Sequence, residues 1–205
     1  MFNFDEVSRS FYSPEQLSHI KNSRIGIAGA GGLGSNCALM LARSGFEKFV
    51  IADFDLVEPS NLNRQVYFPQ HVGKLKAQCL REIIQSLNPK AEIQAHAHKL
   101  DAQSCRHIFA DCQVVVEAFD RAEAKAMIVG EFLNSSKLLV SASGLGGYGD
   151  SDRIVTRKVK ENFFLVGDQE SAVGQSVKPY APCVAIAAAK QADVVLNWVL
   201  GSGTV

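Results

Sequence analysis

The sequence has no excess charge of either sign, because 21 Lys and Arg residues balance 21 Asp and Glu residues. This balance gives no support to binding of a nucleic-acid backbone or an anionic membrane surface, so we expect neither partner. The sequence also lacks a C-x-x-C pair, and its five cysteines are odd in number. These two features argue against a disulfide framework and a four-thiolate zinc site, and we expect no structural zinc.

The sequence pattern predicts neither a secretory leader nor a membrane-spanning segment. Residues 1–10 carry acidic residues where a secretory signal needs basic ones, and no apolar core follows them, so we expect a cytoplasmic protein. The most apolar stretch, Pro182–Leu200, is interrupted by Lys190, Gln191 and Asp193. This pattern predicts a buried helix rather than a membrane span.

The apolar fraction is 47% and includes twelve Phe residues, enough for a substantial core. Short β-type runs alternate with helical periodicity, which predicts an α/β, Rossmann-like, mostly parallel sheet with helices on both faces. The expected strands are 24–29, 49–52, 91–97, 114 to near 120, and 138–143. Two further runs, 153–159 and 163–166, predict an antiparallel extension toward the C-terminus. We expect an N-terminal helical segment over 1–22 and a single domain over 23–205.

A nucleotide site is predicted at the glycine motif Gly29-x-Gly31-x-x-Gly34, which lies between the first strand and the following helix. Glycines allow a tight turn and close approach to a phosphate, and free N–H groups at the helix start face the anion. Asp53 ends the second strand 19 residues after Gly34, a distance typical of a ribose-binding carboxylate. The alternative is a structural turn with a surface aspartate.

The loop after Asp53 is long, polar and placed at the carboxyl edge of the sheet. Arg64 is suited to forked hydrogen bonds with phosphate oxygens, while Asn61 and Gln65 would orient a ligand without adding charge. Either Lys74 or Lys76, at the start of the next helix, would supply a positive charge. Together these groups favour a triphosphate, although a basic loop is also compatible with a solvated face.

Asp120 is predicted at the end of the strand that begins at Val114. A carboxylate at that edge is suited to Mg²⁺ that bridges phosphate oxygens. It is equally compatible with capping the next helix, and both roles are possible together.

These motifs resemble those of the ATP-dependent adenylyltransferases that activate ubiquitin-like proteins, including the bacterial sulfur-carrier enzymes of thiamine and molybdopterin synthesis. The resemblance covers residues 20–200 and rests on G-x-G-G-x-G (29–34), D-x-D-x-V-x-x-S-N-L-x-R-Q (53–65), V-G-x-x-K-A (72–77) and Asp120. The loop 144–150 and the short length are most similar to the compact thiamine branch.

The resemblance implies binding of ATP and Mg²⁺ and adenylation of the C-terminal glycine carboxylate of a small ubiquitin-like sulfur-carrier protein with a Gly-Gly tail, with release of pyrophosphate. A homodimer is also implied. Asp53 would hold the ribose, Lys76 would contact the transferring phosphate, and Asp120 would bind Mg²⁺. The implied nucleotide-binding set comprises Gly29, Gly31, Gly32, Gly34, Asp53, Asp55, Asn61, Arg64, Gln65 and Lys76.

Arg9 and Cys183 match the family pattern less well, and two histidines need a separate assessment. Arg9 is the candidate for an arginine that reaches across the dimer, and its alternative is a surface arginine. The loop 167–180 has no cysteine for thioester or persulfide chemistry, so Cys183 is expected to be a packed thiol. His96 and His98 are expected to be ordinary sheet residues rather than metal ligands.

Two other functions remain open on the residues alone. A nicotinamide-dependent oxidoreductase would use the glycine motif and Asp53 but would leave Asn61, Arg64 and Lys76 without a role. A non-catalytic module would keep the nucleotide fold and bind a protein tail.

Overall fold

The computed structural model describes residues 4–171, 174 and 177–201. Its helices are α1 (Phe4–Arg9), α2 (Pro14–Asn22), α3 (Gly32–Arg43), α4 (Lys76–Leu87), α5 (Ala102–Ile108), α6 (Ala122–Phe132) and α7 (Ala181–Leu200). Its strands are β1 (Arg24–Ala28), β2 (Lys48–Ala52), β3 (Glu92–His96), β4 (Val114–Glu117), β5 (Leu138–Ala142), β6 (Val155–Lys160) and β7 (Phe163–Gly167). The predicted alternation of strands and helices is confirmed.

One sheet contains all seven strands in the order β3-β2-β1-β4-β5-β7-β6. Every neighbouring pair is parallel except β6 and β7, so the predicted antiparallel extension is confirmed. The strand order reverses between β1 and β4. In open α/β sheets the crevice at the carboxyl ends of the strands beside such a reversal is where ligands bind.

The central strands β1, β2, β4 and β5 are buried on both faces, which explains their near-continuous apolar runs. Ile25, Ile27 and Val116 face a core that includes α3 and α7, while Ala28, Val115 and Leu139 face a smaller core with α5 and α6. Because β1 and β4 are covered on both sides, their carboxyl ends are held firmly at the ligand-binding edge.

Helix α7 is long and apolar enough to cross a membrane by length and composition alone, and half of its most apolar window is buried. It packs against α3, β5 and β7. This packing accounts for its apolar character, as the interrupted sequence pattern predicted.

Element boundaries differ from expectation in two places that matter for the site. Strand β4 ends at Glu117, so the expectation that Asp120 ends this strand is wrong; Asp120 lies three residues further on, in a bend. The helical spacing of residues 73–87 predicts a helix from Gly73, but α4 begins at Lys76, because the backbone of residues 73–76 pairs with the loop at Asp55 and Val57. The division between residues 1–22 and 23–205 stays a prediction.

Candidate nucleotide site

The glycine turn between β1 and α3 is built by close backbone approach. Gly29 has a φ of +98°, and a Cβ atom on Gly34 would lie 1.8 Å from the Gly29 carbonyl oxygen. A Cβ atom on Gly32 would lie 2.9 Å from Cγ1 of Val184 on α7. Gly31 is the N-cap residue of α3 and has no side chain to occupy the helix end. The turn therefore leaves the N-terminal N–H groups of α3 open to an anion.

Asp53 follows β2 and is buried, with 7% of its surface exposed. Its Oδ2 accepts a hydrogen bond from the backbone N–H of Ala30 at 2.6 Å, and its Oδ1 accepts one from Asp55 at 2.8 Å. Burial raises the pKa of this carboxyl, and the two backbone hydrogen bonds partly oppose that effect. Asp53 thus ties the loop after β2 to the glycine turn.

Lys76 and Asp55 form an ion pair with an Nζ–Oδ2 distance of 2.9 Å. The lysine side chain is 9% exposed and the aspartate side chain is 51% exposed. The Lys76 backbone N–H also donates to the Asp55 carbonyl oxygen at 2.9 Å. Asp55 therefore holds the Lys76 ammonium group at this edge of the sheet. Lys74, in contrast, lies in the bend before α4 and is exposed.

Arg64 and Asn61 lie on the loop that covers the glycine turn. The Arg64 guanidinium donates from Nη1 to the Ser60 carbonyl at 2.9 Å and to Oδ1 of Asn63 at 2.8 Å, and its stem lies against Gly32. Asn61 is buried, and its Oδ1 accepts the Glu58 N–H at 3.1 Å. Asn61 therefore shapes the loop, while the remaining N–H groups of Arg64 stay available for a ligand.

Gln65 lies directly beside the turn, since its Nε2 is 3.8 Å from the position of a Cβ atom on Gly31. Its Oε1 is buried and has no hydrogen-bond partner within the part of the chain that the structure describes. A buried amide oxygen without a partner is costly, and ligands commonly satisfy such atoms.

Asp120 is exposed and lies in the bend between β4 and α6. Among the described residues it makes no hydrogen bond or ion pair, so its carboxylate is available to a ligand. The structure thus brings together the ends of β1, β2 and β4 with the glycine turn, Asp53 and Asp120.

Glu117, the last residue of β4, was missed by the sequence reasoning. It is fully buried and pairs with Lys125 at 3.1 Å. The signal that pointed to it was an acidic residue directly after three valines in a strand expected to be buried.

Arg9 is not brought to this edge in its own chain. It ends α1, and Ser8 of the same helix lies 3.5 Å from the position of a Cβ atom on Gly45, just before β2 begins. Since β1 and β2 start in register, this is the amino edge of the sheet, opposite the glycine turn.

The remaining candidates are buried or lie away from the turn. Cys183 is 2% exposed on the first turn of α7. His96 ends β3; burial, followed by the nearby charges of His107 and His98, lowers its pKa. No group of three or more His, Cys, Asp or Glu side chains with metal-binding potential occurs in the described residues.

Residues 6–205 match the sequence model of the ThiF family. The chain belongs to the ThiF family. Its curated relatives include the adenylyltransferase and sulfurtransferase UBA4 of Candida glabrata, which is 29% identical over 89% of this chain and 43% of the relative. UBA4 of Vanderwaltozyma polyspora is 35% identical over 63% of this chain and 30% of the relative. The ThiF-family chain thus spans less than half the length of these relatives.

Solved structures share the fold of this ThiF-family chain. The tRNA N6-threonylcarbamoyladenosine dehydratase TcdA of E. coli, in complex with ATP, superposes with a TM-score of 0.87 at 20% identity, over 96% of this chain and 93% of TcdA. MccB of E. coli, with AMPCPP and MccA, gives a TM-score of 0.71 at 19% identity, over 91% of this chain and 58% of MccB.

Proposed function

We propose that this chain binds ATP at the carboxyl edge of the sheet and adenylates a carboxylate, releasing pyrophosphate. The observation that carries the proposal is the meeting of the glycine turn with Arg64, Lys76 and the unpartnered Oε1 of Gln65. Membership of the ThiF family and the adenylyltransferase activity named for UBA4 support it. An oxidoreductase would leave the two cations without a role.

The chemistry explains why cations matter here more than a general base. The substrate carboxylate is already ionised at neutral pH and attacks the α-phosphorus, so the bond to the leaving pyrophosphate breaks as the acyl–oxygen–phosphorus bond forms. Two anions must therefore approach each other, and catalysis depends on positioning and charge neutralisation. Arg64 and Lys76 would provide both, while Asp53 would hold the ribose.

Mg²⁺ fits the donor set at this edge. The cation usually takes one or two protein carboxylates and completes its shell with substrate phosphates and water. Asp120 offers an exposed and unengaged carboxylate, and Glu117 is already committed to Lys125. Bound there, Mg²⁺ would neutralise phosphate charge.

The proposed substrate is the C-terminal glycine of a small ubiquitin-like sulfur-carrier protein. The sulfurtransferase activity in the name of UBA4 supports a sulfur carrier, and the MccB structure, which contains both AMPCPP and MccA, supports a second molecule bound together with a nucleotide in this fold. A Gly-Gly tail, and a carrier of the thiamine pathway, follow from the resemblance of the 53–65 and 144–150 segments. A homodimer in which Arg9 serves the partner subunit's site belongs to the same proposal.

Carrier-dependent exchange of labelled pyrophosphate into ATP tests the function. We expect exchange with a Gly-Gly-tailed carrier from the same genome, and none with a carrier truncated by two residues. Asp120→Ala should reduce the exchange rate by about 10²–10³, since it removes one electrostatic contact in the site. Asp111→Ala, an exposed aspartate just before β4, is the matched control and should leave the rate unchanged.

Two results would contradict the proposal. One is binding of NAD in preference to Mg–ATP. The other is ATP binding without exchange for any Gly-Gly-tailed carrier tested, which would favour the non-catalytic module.

A further inference from the structure

A polar network with a fully buried carboxylate at its centre closes the carboxyl ends of β4 and β5. At its centre is Glu117, whose side chain is 0% exposed. Both carboxylate oxygens accept from Nζ of Lys125 at 3.1 Å, and Oε2 also accepts from the hydroxyl of Ser141. Lys125 donates further to the carbonyl of Ala142, the last residue of β5, at 2.8 Å.

The same carboxylate holds the backbone that leads to Asp120. Oε1 of Glu117 accepts the N–H of Phe119 at 2.7 Å, which fixes the first residues of the β4–α6 bend. This segment also packs against the glycine turn, since the Ala118 carbonyl oxygen lies 3.0 Å from the position of a Cβ atom on Gly29. The network therefore connects the bend between β4 and α6 to the glycine turn between β1 and α3.

Glu117 is a fully buried charge, and its ion-pair partner Lys125 has a side chain that is 24% exposed. Apolar side chains of similar volume often stabilise a protein equally well or better, so a retained pair suggests a demand on geometry. Here the demand is visible, because an apolar residue at position 117 would leave the Phe119 N–H without its acceptor. The Asp120 side chain makes no hydrogen bond or ion pair among the described residues, so its position depends on this backbone.

We propose that Glu117 and Lys125 are positioning residues that hold the Asp120 carboxylate in place for Mg²⁺ at the nucleotide phosphates. The inference rests on the proposed function, in that Asp120 is the residue it acts through. Groups that orient a metal ligand typically alter metal affinity or activity by about 10–100-fold when they are removed.

The first test uses the ligand-free protein and needs no activity. Lys125→Met removes the ammonium group and keeps the length of the side chain, while Lys125→Arg keeps the charge. Hydrogen exchange of the amides in 118–121 should be faster in Lys125→Met than in the wild type and largely restored in Lys125→Arg. Glu131→Gln is the matched control, because Glu131 is on the same helix but pairs with Arg106 instead; exchange in 118–121 should not change.

The second test measures how Mg²⁺ strengthens ATP binding, by titration with and without EDTA. In Lys125→Met, the Mg²⁺ concentration that gives half of the maximal increase in ATP affinity should rise by about 10-fold or more. The effect should vanish in an Asp120→Ala background, because a residue that acts through Asp120 has nothing left to position. Glu117→Gln, which keeps the side-chain volume, provides the same comparisons if Lys125→Met does not fold.

The outcomes separate this inference from the proposed function. Unchanged exchange in 118–121, or an equal Mg²⁺ effect with and without Asp120, would overturn the positioning role. So would a loss of thermal stability alone, with the Mg²⁺ requirement unaltered. A wild type that binds Mg–ATP but shows no carrier-dependent exchange would instead contradict the proposed function, and the positioning role would then be judged on binding.

Discussion

At the scale of single residues, Lys74 and Lys76 are equivalent candidates on the residue pattern alone, the family resemblance favours Lys76, and the structure separates the two by burial. Lys76 is held by Asp55 at the nucleotide edge, with a side chain that is 9% exposed, while Lys74 lies exposed in the preceding bend. We expect Lys76→Ala to lower the exchange rate by about 10²–10³ with a smaller change in ATP affinity, because negative charge grows on the leaving pyrophosphate during attack. Lys74→Ala should change either quantity by only a few-fold.

Steady-state exchange kinetics and ATP titration of the two variants distinguish these effects, with circular dichroism as the check on folding. An equal or larger loss for Lys74→Ala would mean that the assignment of the two lysines is wrong.

A second residue-scale prediction concerns Gly34. A Cβ atom there would lie 1.8 Å from a backbone oxygen, so the turn must shift before any side chain fits. We expect Gly34→Ala to lower the free energy of unfolding by at least about 1–3 kcal/mol, as overpacking does, and to weaken ATP binding.

The control for Gly34 is Gly130→Ala on α6, where a Cβ atom meets nothing within 4 Å. This substitution should stabilise the protein by up to about 1 kcal/mol, because alanine has the higher helix propensity. Denaturant unfolding measures both variants, and equal effects would show that the close approach at Gly34 is unimportant.

At the scale of elements, sequence patterns predict the end of a strand where the strand is buried on both faces. Strands β1 and β2 are covered on both faces, so their apolar runs end where the strands end. The pattern fails at β4, whose apolar run continues to Phe119 although the strand ends at Glu117. There the Phe119 N–H donates to the Glu117 side chain, and that side chain also pairs with Lys125 and accepts from Ser141, which are distant in sequence.

The segment after β7 yields an element-scale prediction about pH. Asp168 pairs with Arg153 at 2.5 Å and accepts hydrogen bonds from Ser171 and Glu170, which anchors this segment beside the 144–150 loop. Burial alone would raise the pKa of Asp168, but these hydrogen bonds and the guanidinium together lower it. A lowered pKa in the folded state means stability that is present at neutral pH and is lost as the pH falls from about 4 through the folded value.

Asp168→Asn should therefore have a lower melting temperature than the wild type at pH 7. The difference between the two melting temperatures should shrink as the pH approaches 3. Differential scanning fluorimetry across this range measures the difference, with Asp150→Asn, an exposed aspartate in the neighbouring loop, as the control. A difference that stays constant with pH would show that the charge of Asp168 contributes nothing to the anchor.

At the scale of the whole molecule, the glycine turn, Asp53, Arg64 and Lys76 were predictable because each lies in a local motif and parallel strands bring their carboxyl ends to one edge. The position of Arg9 could not be predicted in this way, because no local motif contains it and its proposed role depends on a second subunit. Its placement at the amino edge is set by packing of α1 and α2 around Gly45, which no local pattern of residues encodes.

The cysteines give the last prediction at this scale. All five are buried thiols distributed through the molecule, and none is near a metal-binding group in the described residues. Burial raises the pKa of Cys37 and of Cys112 to about 12 and that of Cys105 to about 11, so the reactive thiolate is scarce at neutral pH. The molecule is therefore built to pack its sulfur atoms rather than to expose them.

Replacing all five cysteines by Ala or Ser should leave adenylate formation measurable, because attack by a carboxylate needs positioned cations and no thiolate. Losses should appear as reduced stability, since each substitution removes packed volume. Cys183 is the informative residue, because it lies in the first turn of α7 and packs in the same core as Ala30 and Leu33 of the glycine turn. If Cys183→Ser folds with the wild-type melting temperature but loses pyrophosphate exchange, or if mass spectrometry finds the carrier covalently attached to Cys183, the reaction includes a thiol step. With the carrier held only as its adenylate, the same spectra should show the unmodified chain and a carrier heavier by one AMP.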